Sequence, residues 1–104
     1  MPNPRARDWV ITLYHEEWLA KFADGQRLLL PDERVRYLCG QRETCPTTGR
    51  VHVQAFVRFF QKQRIHALQE LFTPRGHYEV RRGSAEEARE YTRKEESRES
   101  PWLE

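Results

Sequence analysis

Apolar positions along this chain change their period several times, and each change marks an element. From Asp8 the run Trp9-Val10-Ile11-Thr12-Leu13-Tyr14 is β-branched and aromatic throughout. It predicts a strand with Trp9, Ile11 and Leu13 on one face and Val10, Thr12 and Tyr14 on the other. Between His15 and Ala23, the residues Trp18, Leu19 and Phe22 recur at helical spacing, and Asp24-Gly25 is a stop signal. Leu28-Leu29-Leu30-Pro31 is ambiguous; a short turn packed on the core accommodates it. A second strand is expected from about Val35 to Gln41, with Glu43 at or just beyond its end. Pro46 and Gly49 put Thr44 to Gly49 in a loop.

The clearest alternation is Val51-His52-Val53-Gln54-Ala55-Phe56-Val57-Arg58-Phe59. Val51, Val53, Ala55, Val57 and Phe59 make an unbroken apolar face, read as the core side. His52, Gln54, Phe56 and Arg58 face the other way. Ile65, Leu68 and Phe72 then space a helix over Gln63 to Phe72, ended by Pro74 and Gly76, and His77 to Arg81 reads as a short strand. After Gly83, Ser84 and Glu87 form a capping box, which predicts a helix from Ala85 to about Glu96. Residues 1–7 read as a flexible arm and 97–104 as a frayed tail or linker. The order β-α-β-β-α-β-α predicts an α+β domain over residues 8–96. Its expected form is a central antiparallel sheet of four to five strands with flanking helices, of the ferredoxin-like kind.

A length of 104 residues suits one domain. Only 38% of residues are hydrophobic, but aromatics reach 12%, and their large buried areas argue for a compact core over disorder. No apolar run approaches the roughly 20 residues that a membrane helix needs. Residues 1–8 carry no apolar segment of a secretory signal. Two cysteines do not make a disulfide framework, so a reducing, intracellular setting is expected. The net charge of +2 says little, but its distribution says more. The stretch 58–83 holds the cations Arg58, Lys62, Arg64, Arg75, Arg81 and Arg82 against only Glu70 and Glu79, a weak pointer to a polyanion.

His52 and Gln54 project side by side from one strand face. On the strand alone the plainer reading is two ordinary polar residues on a solvated face. A hairpin about Thr47-Thr48 brings Glu43 nearly opposite His52. A carboxylate, an imidazole and an amide oxygen then make a mixed, hard-leaning donor set suited to Mg²⁺ or Mn²⁺. On the last predicted helix, Lys94 follows Tyr91 by three residues and shares its face. A phenol of pKa about 10 is a poor nucleophile at neutral pH unless a cation favours the phenolate. Glu87, one turn before Tyr91, is placed to compete for Lys94 or to carry a proton. The plainer reading of the helix is a half-buried tyrosine among surface ion pairs.

Three motifs in order resemble the N-terminal endonuclease domain of the replication-associated (Rep) proteins of circular single-stranded DNA viruses, circovirus-like members especially. These belong to the HUH endonucleases. Trp9-Val10-Ile11-Thr12-Leu13-Tyr14 is similar to the first motif, tied to origin recognition. Gly49-Arg50-Val51-His52-Val53-Gln54-Ala55-Phe56 is similar to the metal motif, in the variant with Gln as its second ligand. Glu90-Tyr91-Thr92-Arg93-Lys94-Glu95 is similar to the nucleophile motif. Tyr37-Leu38-Cys39-Gly40-Gln41-Arg42-Glu43 resembles the segment that supplies the acidic ligand. The chain departs from the family at Tyr14, where Asn or a similar polar residue is usual, at Val51 in place of Pro and at Ala55 in place of Gly.

The resemblance implies metal-dependent nicking and joining of single-stranded DNA at a viral origin stem-loop, initiating rolling-circle replication. Glu43, His52 and Gln54 would hold Mn²⁺ or Mg²⁺. Tyr91 would form a 5′-phosphotyrosine link and Lys94 would assist it. Contacts to DNA are expected from Thr12, Tyr14, Arg50, Phe56, Arg58, Arg81 and Arg82, with Tyr14 or Phe56 stacking on bases. The resemblance further implies the host nucleus, a helicase domain following the tail, no membrane partner and a monomeric isolated domain.

Two rivals compete. One is a non-catalytic nucleic-acid-binding module of RNA-recognition-like fold, which gives Tyr91 and Lys94 no task. The other is a zinc domain on Cys39, Cys45 and two histidines, whose cysteine spacing is too wide for the usual pattern. His15, His66 and His77 are read without a site role.

Overall fold

The computed structural model describes residues 3–23 and 27–104. The β-branched opening run forms β1 (Ala6–Leu13), followed by α1 (Glu16–Lys21), β2 (Val35–Thr44), β3 (Val51–Gln63), α2 (Ile65–Leu71), β4 (His77–Val80) and α3 (Ala85–Tyr91). The four strands make one antiparallel sheet in the order β2-β3-β1-β4, the α+β architecture that the alternation predicts. No helix among the described residues is long and apolar enough to cross a membrane.

Several boundaries differ from expectation, each for a physical reason. β3 runs on to Gln63 through the exposed stretch 60–62, which carries no alternation to announce a strand. This gives β1 a partner at its start, Ala6 opposite Gln63, so the strand takes in Ala6 and Arg7, which the sequence reading put in the arm. β2 reaches Thr44 and encloses Glu43. α3 stops at Tyr91 rather than near Glu96: the Thr92 hydroxyl donates to the Arg89 carbonyl at 2.7 Å, and Gln41 Nε2 donates to the Lys94 carbonyl at 2.7 Å, drawing the chain off the helix. The stop expected for α1 at Asp24-Gly25 lies outside the described residues; the helix ends at Lys21 with Phe22 as its cap. Leu28 packs on the core, whereas Leu29 and Leu30 are exposed.

Residues 97–104, read as a frayed tail, lie along the free edge of β2. Thr44 N donates to the Ser97 carbonyl, Glu99 N to Arg42, and Gly40 and Leu103 exchange both backbone bonds. On its other side, Gly40 permits the close approach of β3. A Cβ there would sit 2.6 Å from the Gln54 carbonyl oxygen and 2.8 Å from the Ala55 Cβ.

Both faces of the sheet are covered. On one, Trp9, Ile11, Leu13, Val53, Ala55, Val57 and Phe59 pack against Trp18 and Phe22 of the α1 segment and Leu68 and Phe72 of the α2 segment. The indole of Trp18 ties those two helices by donating to the Phe72 carbonyl at 2.8 Å. On the other, Phe56 and Cys39 meet Val10, Tyr37, Ala85, Ala88 and Trp102. This second layer corrects the assignment of Phe56 as a base-stacking residue. At 2% exposure it lies buried beneath α3 and Trp102.

Candidate active site

The antiparallel pairing of β2 with β3 sets Glu43 directly opposite His52, as the hairpin reading predicts. Glu43 is 1% exposed, and its Oε1 lies 3.4 Å from His52 Nε2 and 3.4 Å from Lys94 Nζ. Its other oxygen accepts from Gln41 Nε2 at 3.0 Å. Burial pushes the Glu43 carboxyl up, but the hydrogen bonds from His52 and Gln41 and the charge of Lys94 together outweigh it, so it stays below its ordinary range and ionised at neutral pH.

Gln54, next on the same face of β3, is buried and oriented from β1: its Nε2 donates to the Ile11 carbonyl at 3.2 Å, and its Oε1 accepts from the Thr12 hydroxyl at 3.3 Å. Thr12, assigned to DNA contact by resemblance, thus holds Gln54 in place. Beside His52, Tyr14 lies with ring centroids 5.8 Å apart, and the Arg50 guanidinium covers the Tyr14 ring at 4.0 Å. Tyr14 and Arg50 are exposed.

Tyr91 ends α3 at 50% exposure, with Lys94 Nζ 4.3 Å from its ring centroid. One ammonium therefore touches both the Tyr91 ring and the Glu43 carboxylate. Tyr91 also lines a groove of about 440 Å³ with Thr12, Gln54 and Arg82. Phenol, amide and carboxylate are thus on the same side of the sheet. Glu87, weighed as a partner for Lys94, is turned instead to the start of α3: its backbone N–H donates to Ser84 Oγ at 3.1 Å, and its carboxylate accepts from that hydroxyl at 3.2 Å.

Among the described residues, no three His, Cys, Asp or Glu side chains gather at one point. A cation site here rests on one carboxylate, one imidazole and one neutral amide oxygen. Neighbouring ligands on a small octahedral dication lie about 3 Å apart, given bonds of about 2.1 Å. Glu43 Oε1 and His52 Nε2 are close to that spacing, and both are hard or borderline donors, so this pair fits Mg²⁺ or Mn²⁺. His52 Nδ1 is buried without a hydrogen-bond partner among the described residues.

Arg58 and Arg81, read as DNA contacts, converge on the buried Asp8. Arg58 donates two 2.8 Å bonds to its carboxylate, and Arg81 Nε sits 2.8 Å from Oδ2. The hydrogen bonds from Arg58, against the opposing effect of burial and with the charges of both guanidiniums, hold the Asp8 carboxyl below its ordinary value. His15 caps α1 through Nδ1, and His66 and His77 stand exposed beside Glu70 and Glu79. The two cysteine sulfurs engage different neighbours, Thr92 for Cys39 and Thr47 for Cys45.

The sequence reading missed Gln41, Asp8, Arg98 and Trp102. Gln41 is fully buried, donates to Glu43 and accepts from Arg98 Nε at 2.9 Å. Trp102 donates to the Thr92 hydroxyl at 3.0 Å, and the guanidiniums of Arg89 and Arg93 lie 4.8 and 4.5 Å from its ring centroid. Strand alternation carried a signal for Gln41, since it shares the face of Glu43 two residues away. No pattern announced the tail residues.

A four-stranded antiparallel sheet with helices on both faces, bearing a carboxylate–imidazole–amide row beside a helix-borne phenol, defines an α+β domain of the HUH endonuclease fold. A family model described as putative viral replication protein matches residues 6–95. The chain is 32% identical over 103 residues to Para-Rep C1 of Milk vetch dwarf C1 alphasatellite, across 98% of this chain and 33% of that protein. It is 39% identical over 90 residues to the Replication-associated protein of Canary circovirus, across 86% of this chain and 29% of that protein. It is 37% identical over 71 residues to the Master replication protein of Milk vetch dwarf virus (isolate N), across 67% and 24%. The chain belongs to the viral replication protein family, as a Rep domain of circular single-stranded DNA viruses. It spans a third or less of the length of these curated relatives.

Proposed function

We propose that this domain nicks and rejoins single-stranded DNA at a viral replication origin, and so starts rolling-circle replication. The observation that carries this reading is the single ammonium of Lys94, 3.4 Å from the buried Glu43 carboxylate and 4.3 Å from the Tyr91 ring centre. A surface tyrosine of an ordinary binding module has no need of that arrangement.

In the proposed step the Tyr91 oxygen attacks the scissile phosphorus. A phosphorus–oxygen bond to the phenol forms, and the bond to the 3′ oxygen breaks. The phenol proton leaves to water or a neighbouring base, and the departing 3′ oxygen gains one to become a free hydroxyl. The phosphotyrosine ester conserves the phosphodiester, so a 3′-hydroxyl can later reverse the step and join ends. Lys94 offsets the charge that collects on the phosphoryl oxygens. Glu43, His52 and Gln54 would hold Mn²⁺ or Mg²⁺, which supplies Lewis-acid polarisation of the phosphate when bound. Tyr14, Arg50 and Arg82 remain exposed around the row and are assigned to the strand. Further parts of the proposal are a helicase domain elsewhere in the whole protein, action in the host nucleus and a monomeric isolated domain.

The test is a denaturing gel with stem-loop origin oligonucleotides. A covalent protein–DNA adduct is expected that needs divalent metal and disappears in Tyr91→Phe. Tight binding with no adduct on any such oligonucleotide would replace this reading with the non-catalytic module.

A further inference from the structure

The segment that follows Lys94 runs back along the candidate site. Thr44 N donates to the Ser97 carbonyl at 2.8 Å and Glu99 N to the Arg42 carbonyl at 2.8 Å, which sets Arg98 opposite Glu43 in an antiparallel bridge on the outer edge of β2. The Arg98 guanidinium reaches two acceptors from there. Its Nε donates to Gln41 Oε1 at 2.9 Å, and a terminal nitrogen donates to the Arg93 carbonyl. Gln41 is fully buried, and its three partners allow its amide one orientation. The Glu43 carboxylate, at 3.0 Å, and the Lys94 carbonyl, at 2.7 Å, only accept, so each needs an N–H. Arg98 only donates, so it needs the amide oxygen. A bond from a charged guanidinium is of the stronger kind, and it polarises the amide so that its N–H groups donate better. Without Arg98 the amide oxygen is left buried with its donor gone. Turned over, the amide would set that oxygen against the Glu43 carboxylate.

We infer that Arg98 is a positioning residue of the candidate active site: acting through Gln41, it ties up one oxygen of Glu43 and leaves the other, Oε1, turned to His52 and Lys94. Oε1 lies 3.4 Å from each of their nitrogens. Arg98 and Gln41 also hold the consecutive carbonyls of Arg93 and Lys94, just beyond the end of α3, and so keep the Lys94 ammonium between Glu43 and the Tyr91 ring. The effect on reaction rate rests on the nicking reading above; the effects on geometry and metal affinity do not. Two plainer roles for Arg98 are a strut for the β2 edge and a phosphate contact. A strut needs only the backbone bonds of 97–99, and a phosphate contact needs only an exposed guanidinium. Neither passes through Gln41.

Arg98→Ala is compared with Trp18→Phe, which removes the indole bond to Phe72 on the opposite face of the sheet and controls for lost stability. In metal-free protein, NMR exchange of the Gln41 side-chain amide protons is expected to speed by about tenfold relative to the backbone amides of β3 in Arg98→Ala, and to keep its wild-type ratio in Trp18→Phe. Mn²⁺ affinity, read from the EPR signal of the free ion, is expected to fall by about 10–100-fold in Arg98→Ala, the range for a group that orients a metal ligand, and to hold in Trp18→Phe. Binding of a stem-loop oligonucleotide in chelator is expected to stay at the wild-type level, while single-turnover adduct formation falls. Gln41→Met completes a cycle: the double variant is expected to bind Mn²⁺ no more weakly than Gln41→Met alone. Should Gln41→Met not fold, the exchange and affinity of Arg98→Ala decide. Additive losses in the cycle, unchanged Mn²⁺ affinity in Arg98→Ala, weaker oligonucleotide binding as its only defect, or equal losses in Trp18→Phe overturn the inference. Absence of an adduct in wild type would remove the nicking reading and leave the exchange and affinity results standing. A wild-type adduct with normal Mn²⁺ affinity and rate in Arg98→Ala would remove the positioning role and leave nicking intact.

Discussion

Gln41→Leu removes at once the bond to Glu43, the bond to the Lys94 carbonyl and the acceptor of Arg98. Stranding the partners of a buried amide costs about 1–3 kcal/mol, which urea unfolding should show as a lower midpoint at unchanged slope. Asp8 supplies a pH test. Its folded carboxyl titrates below 3.8, so the stability it adds is fully present above that value and is lost as pH falls through the folded pKa. Asp8→Asn is expected to be less stable than wild type at pH 7 and to lose less stability on acidification below pH 3.8; parallel acid limbs in thermal melts would contradict this. The facing of Glu43 and His52 was legible at this scale, because loop length fixes hairpin register. The Asp8–Arg58 pair was not, because β1 meets β3 across more than forty intervening residues and no local spacing encodes their register.

The end of α3 depends on two things that lie outside its own sequence. Its start is local: Ser84 and Glu87 cap each other, and Ser84→Ala should cost about 1 kcal/mol in thermal unfolding. Its stop is tertiary, set by Gln41 and by Trp102 on Thr92. Periodicity extends the helix toward Glu96 because Arg93, Lys94 and Glu95 are good helix formers, and tertiary bonds override that propensity. Trp102→Ala should loosen the segment that carries Tyr91 and Lys94. The expected result is faster amide exchange over 89–95 with little change in β3; uniform loss of protection would instead mean global destabilisation. β3 shows the complementary error. Its alternation identifies the apolar face but carries no signal that the opposite face is also covered, where Phe56 is the centre of a second layer.

As a whole, the molecule should gain stability from any ion that binds only the folded form. Mn²⁺ at about one hundred times its dissociation constant would add about 2.7 kcal/mol. A rise in the thermal midpoint of wild type, absent in Glu43→Gln, is the expected result; equal shifts in both would place the ion elsewhere. The strand order, β2-β3-β1-β4, has a further consequence for how the chain comes to be made. Of the four strands β1 is made first, yet it is an interior strand whose neighbours follow about forty and seventy residues later. Its hydrogen-bonding edges and its tryptophan, isoleucine and leucine must wait, unpaired, for most of the sequence. Closure of such distant pairings is slow, and an unclosed strand of this composition templates association with other chains. A ribosome stalled before Val80 would thus yield a product prone to aggregate, and a holdase chaperone would find its target in β1.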